Sequence, residues 1–178
     1  MSQCCNKRQP PKAVSLVFKR EQLLYDIGTY AFVEGDIMVV GDEHERHQVM
    51  DVTQSGNIDI ATRILNLAHS EVVEMLYPYT KEPVTPDESF DDELDEPEEY
   101  MIDLRLPLTF SRTSVKYLRW LIHEYMVSRV LQEWMGLTNL ANPQSKKNWE
   151  EKIESIKTKI KSAIMWRGRP LRIKQHPF

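Results

Sequence analysis

Three stretches of this chain repeat their apolar residues at three- and four-residue steps, and thirty residues rich in proline and acid separate the first from the other two. A period near 3.6 puts such residues on one side of a helix, so each stretch must bury that side against something. After Asn57, the residues Ile60, Ala61, Ile64, Leu65, Ala68, Val72, Met75 and Leu76 share a face. They predict a helix capped by Asn57 and stopped at Tyr77, because Pro78 disfavours helical geometry in the residue before it. A long helix is predicted over 112–135, with Ser111 as cap, Val115, Leu118, Leu121, Ile122, Tyr125, Met126, Val130 and Trp134 as its apolar face, and Gly136 as its close. A further helix starts near Asn142-Pro143 or Ser145 and carries a stripe of Trp149, Ile153, Ile156, Ile160, Ala163 and Ile164 before Gly168 and Pro170 end it. Helices joined by short connections pack antiparallel. The expected fold class is therefore mainly α: a small antiparallel helical bundle with a long acidic loop or β-hairpin insertion and extended terminal arms.

The remaining segments carry weaker patterns. A short helix is expected over 18–27, terminated by Gly28. Ile37-Met38-Val39-Val40 and Val49-Met50-Asp51-Val52 flank a polar stretch, 41–48, in the manner of a small hairpin. Tyr100 to Leu106 alternates apolar and polar residues as a strand does. With 178 residues, of which 41% are hydrophobic, one domain of modest core is expected. The division is an N-terminal arm over 1–13, a helical domain over 14–166 with an acidic insertion at 78–107, and a C-terminal arm over 167–178.

Charge is strongly segregated. Between Glu82 and Asp103 there are eleven carboxylates and no Lys or Arg, so a formal net charge of −4 leaves the rest of the chain at +7. From Lys146 onward ten Lys or Arg face three Glu. A charge run is by default a solvated face, and Lys152, Lys157, Lys159 and Lys161 fall mostly off the isoleucine stripe. The insertion is longer than a bundle connection requires, which assigns it either to disorder or to function. Copies of Asp87, Glu88, Asp91, Asp92, Glu93, Asp95, Glu96, Glu98 and Glu99 arranged around a pore would line it with negative charge and let DNA pass without sticking. In the C-terminal arm, Arg167, Arg169, Arg172 and Lys174 alternate with Trp166, Pro170, Leu171, Ile173 and Phe178. An arm both basic and apolar fits a groove on a partner, by strand addition or pocket insertion.

Catalytic patterns are scarce, and the expectation is a protein that is not an enzyme and uses no cofactor and no metal. Of five histidines, only His44 and His47 lie near each other, beside Asp42, Glu43 and Glu45, without the helical spacing of the zinc-hydrolase motif. His69 and His123 fall inside helices, where a hydrogen-bonded histidine is the default. No phosphate-cradling glycine pattern and no nucleophile elbow is present. The acidic run has no turn glycine of a calcium loop. Adjacent Cys4 and Cys5 read as reduced thiols, half of a four-ligand metal site. No apolar run approaches the roughly 20 residues that cross a bilayer, and 1–11 is polar without a signal-peptide core, so a cytoplasmic product with no membrane association is expected.

The order of features resembles the small head-tail connector proteins of tailed bacteriophages, in particular their Mu-type branch. The residues that carry the likeness are the run 58–78, Leu106-Pro107-Leu108 leading into the helix over 112–135, and the helix over 149–166 followed by Arg167-Gly168-Arg169-Pro170-Leu171. The Leu23-Leu24 pair ahead of Gly28 also fits that branch's opening helix. The acidic insertion at 82–100 and the polar segment at 41–48 depart from it. The resemblance implies an adaptor that forms a ring, commonly of about twelve copies, under the portal of the capsid. Such a ring extends the channel for genomic DNA and presents a surface to the tail or a further connector, placing the protein in the virion after assembly in the host cytoplasm. In that setting Trp166, Arg167, Arg169, Leu171, Arg172, Ile173, Lys174 and Phe178 are the arm that docks on the portal or a neighbour. The acidic residues named above line the channel or meet the basic surface of an adjacent subunit. The alternative is a nucleic-acid-binding helical protein that uses the basic C-terminal helix together with Lys7, Arg8, Lys12, Lys19 and Arg20. A metal-dependent enzyme built on His44 and His47 is a third reading.

Overall fold

The computed structural model describes residues 12–38, 43–83, 92–108, 110–139 and 142–167. The described fold is mainly helical, with one small antiparallel sheet. Its elements are β1 (Lys12–Lys19), α1 (Arg20–Asp36), α2 (Glu43–Met50) leading into a 3₁₀ turn (Asp51–Thr53), α3 (Ile58–Met75), β2 (Glu99–Leu106), α4 (Arg112–Thr138) and α5 (Pro143–Arg167).

Helix α4 is the hub. α1, α2, α3 and α5 all pack on it, and its middle is buried on every side, Tyr125, Met126, Val127 and Ser128 consecutively. A helix apolar all round belongs in the centre of a core. Ser111 caps it as expected, its Oγ accepting from the Ser114 backbone N–H at 3.2 Å. The stripe on α5 is buried as its spacing predicts, from Trp149 to Ile164. That of α3 is buried through Ala61, Leu65, Ala68, Val72 and Leu76, with Ile64 and Met75 half-buried, whereas Ile60, expected on the same face, is exposed. Asn57 stands at the cap position of α3, but its Nδ2 donates instead to the Asp51 carbonyl at 2.9 Å and ties the helix to the 3₁₀ turn.

The sheet joins two segments that the sequence keeps far apart. β1 pairs antiparallel with β2, Leu16 opposite Ile102 and Phe18 opposite Tyr100. The inward face carries Leu16, Phe18, Tyr100, Ile102, Leu104 and Leu106, each below a tenth exposed. The outward face carries the Val17 and Met101 pair and the Ser15 hydroxyl, which donates to Asp103 Oδ1 at 2.5 Å. β2 therefore confirms the alternation read in Tyr100 to Leu106, while its partner is the N-terminal strand and not a hairpin within the insertion.

Several expectations are corrected. Residues 12–13, expected in the arm, and Phe18 and Lys19, expected in the first helix, belong to a strand over 12–19, since Val14, Leu16 and Phe18 alternate with period two and turn toward the core beside β2. The helix expected to end at Gly28 runs to Asp36. Gly28 faces the Thr53 side chain, where a Cβ would stand 3.1 Å from Oγ1, so the glycine serves close packing on the 3₁₀ turn and not termination. Gly136 likewise sits within α4, under the alkyl chain of Lys146. The second arm of the expected hairpin, Val49 to Val52, is the end of α2 and the 3₁₀ turn. Trp134 anchors this turn, its indole N–H donating to the Val49 carbonyl at 3.0 Å near the end of the helix, where carbonyls lack intrahelical partners.

Candidate interaction surfaces

Side-chain chemistry first enters where α3, α4 and α5 meet. The Tyr125 hydroxyl donates to Glu71 Oε2 at 2.5 Å, and Arg129 Nε lies 3.4 Å from the same oxygen. Arg129 also pairs with Glu133 and donates to Gln132 at 2.8 Å. Burial, and then the hydrogen bond to Glu71, push the Tyr125 phenol well above its ordinary value. A phenol held neutral in this way supplies no base near neutral pH. The group acts as a polar cross-brace between two helices.

The histidines are tethers. His123 Nε2 meets Asp26 Oδ2 at 2.7 Å, linking α4 to α1, with the Phe18 and Trp120 rings on either side. His69 Nε2 lies 2.9 Å from the Met101 carbonyl and joins α3 to β2. His44 and His47 lie on α2, where His44 contacts Gln48 at 3.0 Å. Asp42 lies outside the described residues. Among the described residues no group of three or more His, Cys, Asp or Glu is placed to hold a metal ion. No described helix is long and apolar enough to cross a membrane.

The acidic segment has a fixed part. Arg20 N–H donates to the Glu98 carbonyl at 3.0 Å, Asn66 Nδ2 to the Asp95 carbonyl at 2.7 Å, and Tyr100 Oη to Asn66 Oδ1 at 2.7 Å. The Arg20 guanidinium also reaches Glu96 at 3.1 Å. Backbone anchoring of this kind turns carboxylates outward, and Asp92, Glu93, Asp95, Glu96, Glu98 and Glu99 are all exposed. The sheet end beneath them is dry enough that burial raises the Tyr100 phenol to about 12. Asp87, Glu88 and Asp91 lie outside the described residues, as do Arg169, Leu171, Arg172, Ile173, Lys174 and Phe178 of the C-terminal arm. Trp166 and Arg167 close α5. The basic face of α5 is partly neutralised, because Lys152 pairs with Glu124 and lies over the Tyr30 and Trp149 rings, and Lys157 pairs with Glu154 at 2.8 Å.

Sequence reasoning missed the surface of α1. This helix buries Leu23, Ile27 and Ala31 on one face. On the opposite face Tyr25, Phe32 and Val33 are 69%, 59% and 51% exposed, and Ile37 follows just past the helix end at 70%. At 100° per residue Tyr25 and Phe32 fall on one line diametrically opposite the core stripe. A helix of a monomer keeps that side polar, so an apolar period on both faces was the available signal. On α4, Trp120 is also exposed, at 61%, with the Arg119 guanidinium 4.8 Å from its ring. Comparison of the chain with protein-family models, with curated proteins and with solved structures finds no match.

Proposed function

We propose that this protein is a structural adaptor that self-associates into a ring, the head-tail connector role that its order of helices resembles, with its acidic residues at the channel or at a subunit boundary. The observation that carries the reading is that α1, with one face in the core, exposes Tyr25, Phe32 and Val33 on the opposite side. Exposed aromatic and aliphatic residues at helical spacing are the composition of a contact between proteins. A second copy of the chain is the partner that the charge pattern favours, since opposite charges lie on separate elements, carboxylates on the segment before β2 and lysines along α5. Different patches that complement one another build head-to-tail assemblies, which close as rings when the rotation between neighbours divides a full turn. The basic and apolar C-terminal arm is the part assigned to the portal.

The test is the mass of the purified chain in solution, alone and with the portal protein of the same genome, by light scattering after size exclusion. A ring, or a subunit that joins the portal in fixed stoichiometry, is expected. A persistent monomer that ignores the portal and binds duplex DNA at physiological salt overturns the reading in favour of nucleic-acid binding.

A further inference from the structure

A cleft of about 430 Å³ lies between the start of β1 and the first turns of α4. Its rim carries four cations, Lys12, Arg112, Lys116 and Arg119, and no carboxylate. All four are exposed, and none is in an ion pair with a described residue. The floor is apolar, with half-buried Val14 and Val115 and the nearly buried Phe110. The chemistry that fits is an acidic peptide with apolar side chains at intervals: carboxylates for the rim, and a Leu or Phe for the floor.

The chain itself contains such a peptide. Phe90-Asp91-Asp92-Glu93-Leu94-Asp95-Glu96 sets two apolar residues four apart among five carboxylates. Residues 1–11 and 168–178 carry cations and no carboxylate, so the rim repels both. The described flanks of the acidic segment are fastened at opposite ends of the sheet. Arg105 N–H bonds the Tyr79 carbonyl at 2.9 Å on one flank, and on the other the Asp95 and Glu98 carbonyls are fastened as described. The cleft lies at the end where Lys12 faces Leu106, between the two strands and α4. From there to the flank at Glu99 the strand runs roughly 23 Å at about 3.3 Å per residue, while the flank at Tyr79 is held on the edge of β2 away from β1. We infer that this cleft receives the acidic segment, 82–99, of a second copy of the chain, which makes it the acceptor half of a head-to-tail contact. The inference rests on the ring reading and names which surfaces meet in it. A nucleic-acid backbone would satisfy the four cations but would leave the apolar floor without a partner.

A fluorescein-labelled peptide of residues 85–98 titrated into the full chain tests the contact directly. Binding that weakens with salt is expected, with at least a roughly tenfold loss of affinity in Lys116→Glu/Arg119→Glu. The same double variant, and its neutral counterpart Lys116→Gln/Arg119→Gln, replaces exposed groups, so each should keep the wild-type circular dichroism while light scattering reports reduced mass. The converse variant Asp92→Lys/Asp95→Lys should also fail to assemble alone, and mixing it with the Lys116→Glu/Arg119→Glu chain should restore assembly. A charge-reversed cleft that assembles at wild-type mass overturns this inference and leaves the ring reading standing. A wild-type chain that stays a monomer removes the ring reading itself. Absence of peptide binding, a lower Tm at unchanged mass in the cleft variants, or displacement of the peptide by duplex DNA at physiological salt would each refute the second copy as occupant.

Discussion

Replacing three helical glycines by alanine, one at a time, separates what each contributes. Alanine gains about 0.8–1.0 kcal/mol of helix propensity over glycine wherever the new methyl has room. At Gly136 it meets Lys146 Nζ, Cδ and Cε at 3.2–3.3 Å, the outer part of an exposed side chain that can swing away. Gly136→Ala should therefore stabilise by up to about 1 kcal/mol. At Gly35 a Cβ would stand 2.6 Å from Met50 Cγ and 2.9 Å from its Cε, with the Arg46 carbonyl at 3.3 Å. Ordinary carbon contacts lie near 3.5–4.0 Å, so α1 and α2 must part by roughly 1 Å or Met50 must leave its rotamer. Overpacking of this kind costs about 1–3 kcal/mol, so Gly35→Ala should be destabilising by up to about 2 kcal/mol after the propensity gain. Gly28→Ala, 3.1 Å from Thr53 Oγ1, falls between the two. For a chain of this size about 2–4 °C accompanies each kcal/mol. Thermal melts by circular dichroism at one fixed protein concentration should thus order the variants Gly136→Ala, Gly28→Ala, Gly35→Ala from highest Tm to lowest. A Gly35→Ala protein as stable as Gly136→Ala would refute the close α1–α2 contact and the reason given for glycine there.

Tyr125→Phe removes the hydroxyl that serves the Glu71 carboxylate, and loss of a hydrogen bond to a charged group is expected to cost about 1.5–3 kcal/mol in chemical denaturation; unchanged stability would mean that the brace between α3 and α4 is ornamental. The raised tyrosines predict an alkaline limit. Because Tyr100, at about 12, and Tyr125 are harder to ionise folded than unfolded, their contribution is fully present below the ordinary value near 10 and is lost as pH rises through the folded values. Absorbance at 295 nm should show these two ionising only together with unfolding, whereas free titration of all seven tyrosines in a folded chain would contradict the burial. Tyr25→Ser/Phe32→Ser on the outer face of α1 should leave the monomer's stability within about 0.5 kcal/mol per site while the mass by light scattering falls from ring to subunit; an intact ring would exclude that face from the contact.

The portions of this fold that were legible in advance depend on local physics. The stripes of α3 and α5, the Ser111 cap and the alternation of β2 each follow from groups within a few residues of one another. Local signals misled where a residue's partner is distant. Gly28 and Gly136 read as terminators because glycine ends many helices, whereas Thr53 and Lys146 pack over them. Val49 to Val52 suits a strand or a helix end equally by composition, and the Trp134 indole anchors the helix end. Of the interaction surfaces, the segregated charge was plain and the exposed face of α1 was not, since apolar residues in a helix read as core until the packing partners are known.

Periodicity, capping and charge are properties of neighbours along the chain, and they specify a mainly helical protein with three helices of substance, one strand before the long helix, and an acidic segment set against a basic end. Packing in three dimensions makes Lys12–Lys19 the strand that closes on β2, makes α4 the hub, leaves Tyr25 and Phe32 of α1 outside, and gathers four cations around an apolar cleft. Each of these depends on which residues tens of positions apart come together. The free energy of the strand pairing and of the α4 core comes from desolvation and pairing across space, which no window of sequence contains.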